Sequence, residues 1–175
     1  MSTNRFFIPI VTIVAVVLIA IRGFGLAVSP FTEANGSFIT TSTTIHKVME
    51  DKFNESIDLS STITYTGTLE GASTLEGTLV VHRDGSATFK GVETFTGLVN
   101  GMPGTLTIEL MGSNDLYQEI QLTNLIISGT GELAGLQGEL SKTGIIKDNG
   151  STGTYTGQFN TISNPNVEVD ESDEY

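Results

Sequence analysis

The chain has 175 residues, of which 38% are apolar and 16% are charged, so it is able to bury a core of its own. It contains no cysteine, which excludes disulfides and thiolate metal sites. All 20 acidic residues lie after position 30. Removing Arg5 and Arg22 from the 8 basic residues leaves 6 against those 20, a net charge of −14 for the region beyond residue 30. A surface of that sign repels phosphate backbones, so nucleic-acid binding is excluded.

The first thirty residues are predicted to be a signal peptide or an N-terminal membrane anchor. Residues 6–21 are apolar apart from Thr12, and Arg5 and Arg22 flank them. This run falls between the roughly 7–15 apolar residues of a signal peptide and the roughly 20 of a membrane-spanning helix. Small residues at 25–27 would suit cleavage, whereas an uncleaved segment would anchor the chain through residues 6–28. Both alternatives place the remaining chain outside the cytoplasm, either secreted or anchored to the membrane.

The remaining chain divides into three predicted parts. Residues 31–36 are expected to be a linker, residues 37–163 a β-barrel domain, and residues 164–175 an acidic disordered tail. Three Asn-x-Ser sequons, at Asn35, Asn54 and Asn149, are compatible with an extracytoplasmic and glycosylated domain.

The predicted domain consists of short segments rich in β-branched residues and separated by turn residues. The predicted strands are 38–46, 57–69, 75–83, 86–99, 105–111, 117–127, 132–140 and 151–162. Residues 47–55 are polar and predict a loop or one helical turn. Seven or eight strands at this spacing, with no amphipathic helix, predict an antiparallel barrel or sandwich.

Glycines within the predicted strands favour the barrel. The stretch 128–140 contains Gly129, Gly131, Gly135 and Gly138 among strand-forming residues. Glycine inside a strand costs backbone entropy, so its repeated use indicates sharp curvature or close backbone approach. The sequence therefore predicts an all-β fold: a small closed antiparallel barrel of about eight strands, preceded by an apolar N-terminal helix.

The register of one hairpin follows from its apolar residues. A three-residue loop with Gly85 in the left-handed region pairs His82 with Ser86. One face then carries Leu75, Leu79, Val81, Ala87, Phe89 and Phe95. A two-residue turn pairing Arg83 with Ser86 would divide this set between two faces, so the three-residue loop is predicted.

A family resemblance rests on a set of glycines and short strings spread over residues 36 to 160. They are residues 84–89, residues 91–93, Gly97, Gly101, Gly104 and residues 128–136. With these, the chain resembles domain-of-unknown-function family 3224, whose members resemble allene oxide cyclase in fold. The resemblance implies a small antiparallel β-barrel with a partly apolar interior, and it implies no particular activity.

Glu93 is the principal candidate for chemistry. The predicted register places it on an apolar face opposite Leu75, and a loop at 100–103 would place it opposite Leu110. A carboxylate among apolar side chains suits proton transfer or hydrogen bonding to a ligand. Alternatively, Glu93 bonds backbone near a glycine bend or lies in water at the barrel mouth. Tyr65 and Tyr155 are candidate proton donors beside it.

The other polar and glycine-rich stretches do not predict a catalytic, metal or cofactor site. His82, Arg83 and Asp84 are adjacent at a hairpin tip and point to different faces, which indicates a solvated turn. His46 has no acidic or thiol neighbour at ligand spacing, so no metal site is predicted. The glycines at 129–131 lack the Gly-Lys-Ser/Thr ending of a phosphate loop, so no nucleotide or other cofactor is expected.

Three functions remain open. The first is a non-enzymatic binding or surface module whose barrel holds a small apolar ligand. The candidate ligand-binding residues share an inward face: Leu75, Leu79, Val81, Phe89, Phe95, Leu106, Ile108 and Leu110. The second is a cyclase- or isomerase-like enzyme using Glu93, and the third is a structural surface protein that associates through its barrel.

Overall fold

The computed structural model describes residues 31–114, 119–147 and 150–161, and these ranges form eight antiparallel strands. The strands are β1 (Thr32–Glu50), β2 (Asn54–Gly67), β3 (Leu69–His82), β4 (Ala87–Val99), β5 (Met102–Asn114), β6 (Glu119–Gly131), β7 (Leu136–Lys147) and β8 (Gly150–Thr161). Each strand pairs with the next, and β8 pairs with β1, so the sheet closes. The predicted all-β class and closed eight-stranded barrel are confirmed.

Several predictions fall outside the described ranges. They are the helical leader or anchor over residues 1–30, the acidic tail over residues 164–175 and the sequon at Asn149. Within those ranges, no helix has the length and apolarity needed to cross a bilayer.

Alternation along each strand fills the barrel. In β4, Ala87, Glu93 and Phe95 are buried, whereas Thr88 and Lys90 between them are exposed. The side chains that fill the lumen include Phe38, Ile63, Leu69, Phe95, Val99, Leu106, Ile108, Ile126, Leu133, Leu140 and Phe159. Full burial of each large apolar side chain stabilises the fold by about 1.5–3 kcal/mol.

The β3–β4 hairpin has the predicted register. The backbone N–H of His82 donates to the carbonyl oxygen of Ser86 at 2.8 Å, and Gly85 has φ of 86°. The pairing places Leu75 opposite Glu93. Because a one-residue slip would turn the inward apolar side chains of one strand to the outside, burial of the inward face fixes the register.

The β4–β5 hairpin differs from the prediction. It turns at Asn100 and Gly101, with φ of 51° and 82°, instead of through a four-residue loop. An Asn-Gly pair accepts left-handed backbone at both positions and gives the two-residue turn whose twist matches the flanking strands. Glu93 therefore lies opposite Ile108, and its predicted position opposite Leu110 is wrong.

The glycine-rich stretch is partly turn. Strand β6 continues through Gly131, residues 132–135 form a turn, and β7 begins at Leu136, so the predicted strand 132–140 is wrong in its first four residues. The turn folds back so that Leu133, 1% exposed, caps the lumen. A Cβ on Gly129 would lie 2.1 Å from the carbonyl oxygen of Leu133, so glycine is required for this close approach.

Strand β1 is longer than predicted at both ends. It begins at Thr32, inside the expected linker 31–36, where it pairs with β8. It continues to Glu50 by pairing with β2, through residues predicted as a loop or helical turn. Register shifts between Thr40 and Ser42, and again farther along, interrupt the alternation, which is why the sequence pattern weakens there.

The two ends of the barrel differ. At one end lie the start of β1, the end of β8, the Asn100–Gly101 turn and the cap formed by Leu133, and the lumen there is packed. At the other end lie the β3–β4 turn, the end of β5 and the start of β8. The lumen is open at this second end.

Candidate functional site

Four polar side chains meet inside the barrel, each from a different strand. Tyr65 comes from β2, Ser73 from β3, Glu93 from β4 and Lys142 from β7. Their exposed fractions are 2%, 3%, 0% and 1%. Each occupies an inward position in the alternation of its strand, so the fold itself directs all four into the lumen. We call them the lumen cluster.

Glu93 is the centre of the lumen cluster. Its Oε1 accepts hydrogen bonds from the Tyr65 hydroxyl and from Ser73 Oγ, both at 2.5 Å. Its Oε2 accepts one from Lys142 Nζ at 2.8 Å, and Lys142 also donates to the Tyr65 hydroxyl. The buried carboxylate therefore has three donors and an opposite charge, which is what a charge needs away from water.

Burial changes the acidity of two members. Loss of solvation raises the pKa of Tyr65 well above its ordinary value of 10.0, and the negative charge of Glu93 raises it further. Loss of solvation also lowers the pKa of Lys142 from 10.5, and the attraction of Glu93 opposes that change. The Lys142 ammonium lies 4.7 Å from the Tyr65 ring centroid and 5.6 Å from that of Phe38, in range for cation–π stabilisation.

Tyr155 lies apart from Glu93. Its hydroxyl accepts a hydrogen bond from the backbone N–H of Leu69 at 2.7 Å and donates to the carbonyl of Thr66 at 3.2 Å. Its ring packs edge-on against Tyr65 at a centroid distance of 5.8 Å. Of the three residues predicted to take part in catalysis, Glu93 and Tyr65 are in contact. Tyr155 instead bonds the backbone of Thr66 and Leu69, on either side of the β2–β3 turn.

A cavity of about 240 Å³ lies at the open end of the barrel. Most of its wall is apolar, formed by Phe38, Leu59, Ile63, Leu75, Leu79, Phe89, Leu110, Ile120, Leu122 and Ile146. Among the described residues that line it, Lys142 is the one that carries a charge, and it is the member of the lumen cluster that borders the cavity. We call Lys142 and the cluster residues behind it the floor of the cavity. We call this space the lumen cavity.

Only some of the predicted ligand-binding residues line the lumen cavity. Four of them line the lumen cavity: Leu75, Leu79, Phe89 and Leu110. Three are packed in the core instead: Phe95, Leu106 and Ile108. Val81, near the end of β3, lies in a shallow surface groove with residues 50–55 and not in the lumen cavity.

Five buried polar residues are not singled out by the sequence analysis: Thr40, Ser61, Ser73, Asn124 and Lys142. A signal was present, because Lys142 follows Leu136 and Leu140 at even spacing on β7, and Ser73 precedes Leu75 by two positions on β3. Alternation therefore places both side chains inside. What alternation does not show is which inward side chains touch across the lumen.

Asn124 is an unusual member of the interior. It is 0% exposed, and neither its Oδ1 nor its Nδ2 has a hydrogen-bond partner among the described residues. In the sheet it lies between Leu110 and Leu140. Most buried polar side chains in proteins are hydrogen-bonded, so this amide carries a cost in stability.

The polar residues for which no site is predicted, Asp84, His46 and His82, lie at or near the surface. Asp84 accepts hydrogen bonds from Ser86, which lower the pKa of Asp84, at the exposed β3–β4 tip. His46 bonds Ser60 Oγ at 2.8 Å, and His82 bonds Asn54 Oδ1 at 2.9 Å. In the described ranges, no three His, Cys, Asp or Glu side chains are grouped to hold a metal ion.

Comparison with other proteins places the chain in a family. No curated protein matches it. The crystal structure of a protein of unknown function from the DUF3224 family of Shewanella oneidensis MR-1 is 22% identical, with a TM-score of 0.61 over 74% of this chain and 97% of that one. A pterocarpan synthase dirigent protein is 15% identical, with a TM-score of 0.48 over 80% and 93%. The family described as "Protein of unknown function (DUF3224)" matches residues 34–166, and the chain therefore belongs to the DUF3224 family.

Proposed function

We propose that the protein is a binding module that holds a small, mainly apolar molecule in the lumen cavity. The observation that carries the proposal is a concave, open-ended space of about 240 Å³ with an apolar wall and one charged side chain, Lys142, at its floor. Small-molecule sites in proteins are typically concave and apolar, with a few polar groups that orient the ligand. The volume lies slightly below the usual range, which limits the occupant to a small molecule.

The proposal is tested with the neutral fluorescent probe N-phenyl-1-naphthylamine. Leu122 and Leu125 both lie on β6, but Leu122 lines the lumen cavity and Leu125 is 47% exposed on the outside. We expect Leu122→Trp to fill the space and weaken probe binding about tenfold or more, while Leu125→Trp leaves it unchanged. Equal binding by both variants, or no binding by the original chain, would refute the proposal.

A second candidate is a cyclase- or isomerase-like enzyme, favoured by one observation. The Tyr65 hydroxyl, the Glu93 carboxylate and the Lys142 ammonium are in mutual hydrogen-bond contact, an arrangement able to relay a proton. This reading predicts that the protein exchanges the α-hydrogens of 2-octanone with deuterium oxide, measured by proton NMR. Glu93→Gln would abolish the exchange. A rate equal to that of buffer alone would remove this candidate.

We propose further that the barrel is outside the cytoplasm. The support is the apolar run at residues 6–21 flanked by Arg5 and Arg22. Sequencing the mature N-terminus separates a cleaved leader from a retained anchor. Fractionation of the barrel with the cytoplasm would contradict the proposal.

A further inference from the structure

We propose that the lumen cavity selects neutral ligands that carry one hydrogen-bond acceptor, such as a ketone, an aldehyde or an ester, and rejects carboxylates of the same length. This inference rests on the proposed binding function and names the class of ligand. It follows from the charge balance of the floor, from the count of its donors and from the polar groups of the wall.

The floor is already balanced in charge. Glu93 and Lys142 are both buried and lie 2.8 Å apart, so they form one negative and one positive group. No other charged side chain lines the cavity among the described residues. A ligand carboxylate would add a second negative charge next to Glu93, with a single ammonium to compensate both. Burying such an uncompensated charge is strongly unfavourable, whereas a neutral head group leaves the balance intact.

The donors of the floor leave room for one acceptor. A lysine ammonium has three N–H groups, and Glu93 and the Tyr65 hydroxyl accept two of those of Lys142. The hydroxyl protons of Tyr65 and Ser73 are both directed to Glu93. Lys142 borders the cavity, and we assign its third N–H to the ligand oxygen.

The polar side chains of the wall are all uncharged. Thr40 Oγ1 bonds Ser151 Oγ at 2.8 Å, and Thr43 Oγ1 bonds Ser61 Oγ at 2.9 Å, so each pair uses one of its two hydroxyl protons. Ser113 and Asn114, at the end of β5, are the other polar side chains of the wall. The remaining wall is mostly apolar and suits a hydrocarbon chain. Because the Lys142 ammonium is the one charged donor among the described lining residues, and charged donors make the stronger hydrogen bonds, a ligand would place its oxygen at Lys142 and its chain toward the open end.

The experiment compares two ligands of eight carbons by calorimetry with the full chain. At about pH 7.5, 2-octanone is neutral with one acceptor, and octanoate is ionised. We expect 2-octanone to bind about tenfold or more tightly than octanoate. Octanoate binding as tightly as 2-octanone, or more tightly, would overturn the inference.

Glu93→Gln provides the sharper test, because it leaves Lys142 without a counter-charge. We expect octanoate to gain about tenfold in affinity and to overtake 2-octanone. Glu76→Gln is the matched control, since Glu76 is exposed on β3, and it should leave both affinities unchanged. An unchanged preference in Glu93→Gln would show that charge balance does not set selectivity.

If Glu93→Gln fails to fold by circular dichroism, Glu93→Gln with Lys142→Met removes both charges together. In this double variant 2-octanone should lose about tenfold in affinity, because its acceptor no longer meets a donor, and undiminished binding would refute the role of Lys142.

The probe N-phenyl-1-naphthylamine separates the two proposals. If it binds while the two ligands are not distinguished, this inference alone fails. If it does not bind the original chain, the proposed function fails.

Discussion

Lys142 Nζ lies 2.8 Å from Glu93 Oε2, although 49 residues separate the two and their strands, β7 and β4, do not pair with each other. The contact therefore crosses the lumen and joins two parts of the wall that are not neighbours in the sheet. Taking both charges out of water is costly, and the pair is favourable only because further hydrogen bonds from Tyr65 and Ser73 satisfy the carboxylate.

Removing one charge of this pair should be far worse than removing both. Lys142→Met leaves Glu93 buried without its counter-ion, and we expect the free energy of unfolding to fall by about 3–5 kcal/mol in urea denaturation. Adding Glu93→Leu should recover most of that loss. Lys90→Met, at an exposed position of β4, removes the same charge and should change stability by less than about 0.5 kcal/mol. A Lys142→Met chain as stable as Lys90→Met would contradict the buried pair.

Tyr65 should make stability depend on pH in the alkaline range. Burial raises its folded pKa above the unfolded value of 10.0, so its contribution is complete below about pH 10 and is lost as the pH rises further. The advantage of the original chain over Tyr65→Phe should be constant from about pH 8 to 10 and shrink above that. The lowered pKa of Lys142 acts in the opposite direction and is present in both chains. An advantage that grows above pH 10, in urea titrations, would be inconsistent with a raised Tyr65 pKa.

Replacing Asn124 should stabilise the protein. Its amide is buried without a partner among the described residues, so Asn124→Leu removes a desolvation penalty and adds apolar contact. We expect a gain of about 1–3 kcal/mol in the free energy of unfolding. Gln121→Leu, at an exposed position of the same strand, should have an effect below about 0.5 kcal/mol. Destabilisation by Asn124→Leu would mean that the amide is hydrogen-bonded after all.

Gly36 should not tolerate a side chain. A Cβ there would lie 2.1 Å from the carbonyl oxygen of Thr66 and 2.4 Å from the Tyr155 hydroxyl, and the first of these is backbone that cannot move away cheaply. We expect Gly36→Ala to lower the free energy of unfolding by about 1–3 kcal/mol through overpacking. Ser37→Ala, exposed at the next position, is the control. Equal melting temperatures for the two variants would disprove the close approach.

Those parts of the fold that depend on neighbouring residues in the sequence, such as hairpin registers, could be predicted. Alternation and the Asp84–Gly85 turn gave the β3–β4 register, because a slip would have exposed a whole face. The shorter turn also has a local signal in Asn100–Gly101, but the predicted loop 100–103 includes Met102, which moves the expected partner of Glu93 from Ile108 to Leu110. The sequence predicts strand at 132–135 because Leu133 continues the alternation, whereas in the barrel this leucine folds back over the lumen.

The candidate site could be predicted only in part. Glu93 and Tyr65 were identified because each sits on a recognisable inward face. Their contact with Lys142 depends on the curvature and closure of the whole sheet, since β7 approaches β4 only across the lumen. The spacing of residues along the chain does not indicate the distance between Lys142 and Glu93. Lys142 can therefore be recognised as the partner of Glu93 only from the three-dimensional structure.

The chain enters β1 at Thr32 and leaves β8 at Thr161, both at the packed end of the barrel, whereas the lumen cavity opens at the other end. Any segment that continues the chain before Thr32 or after Thr161 therefore leaves the barrel at the end opposite the entrance. Immobilisation through Thr32 or Thr161 would therefore leave the entrance of the lumen cavity unobstructed.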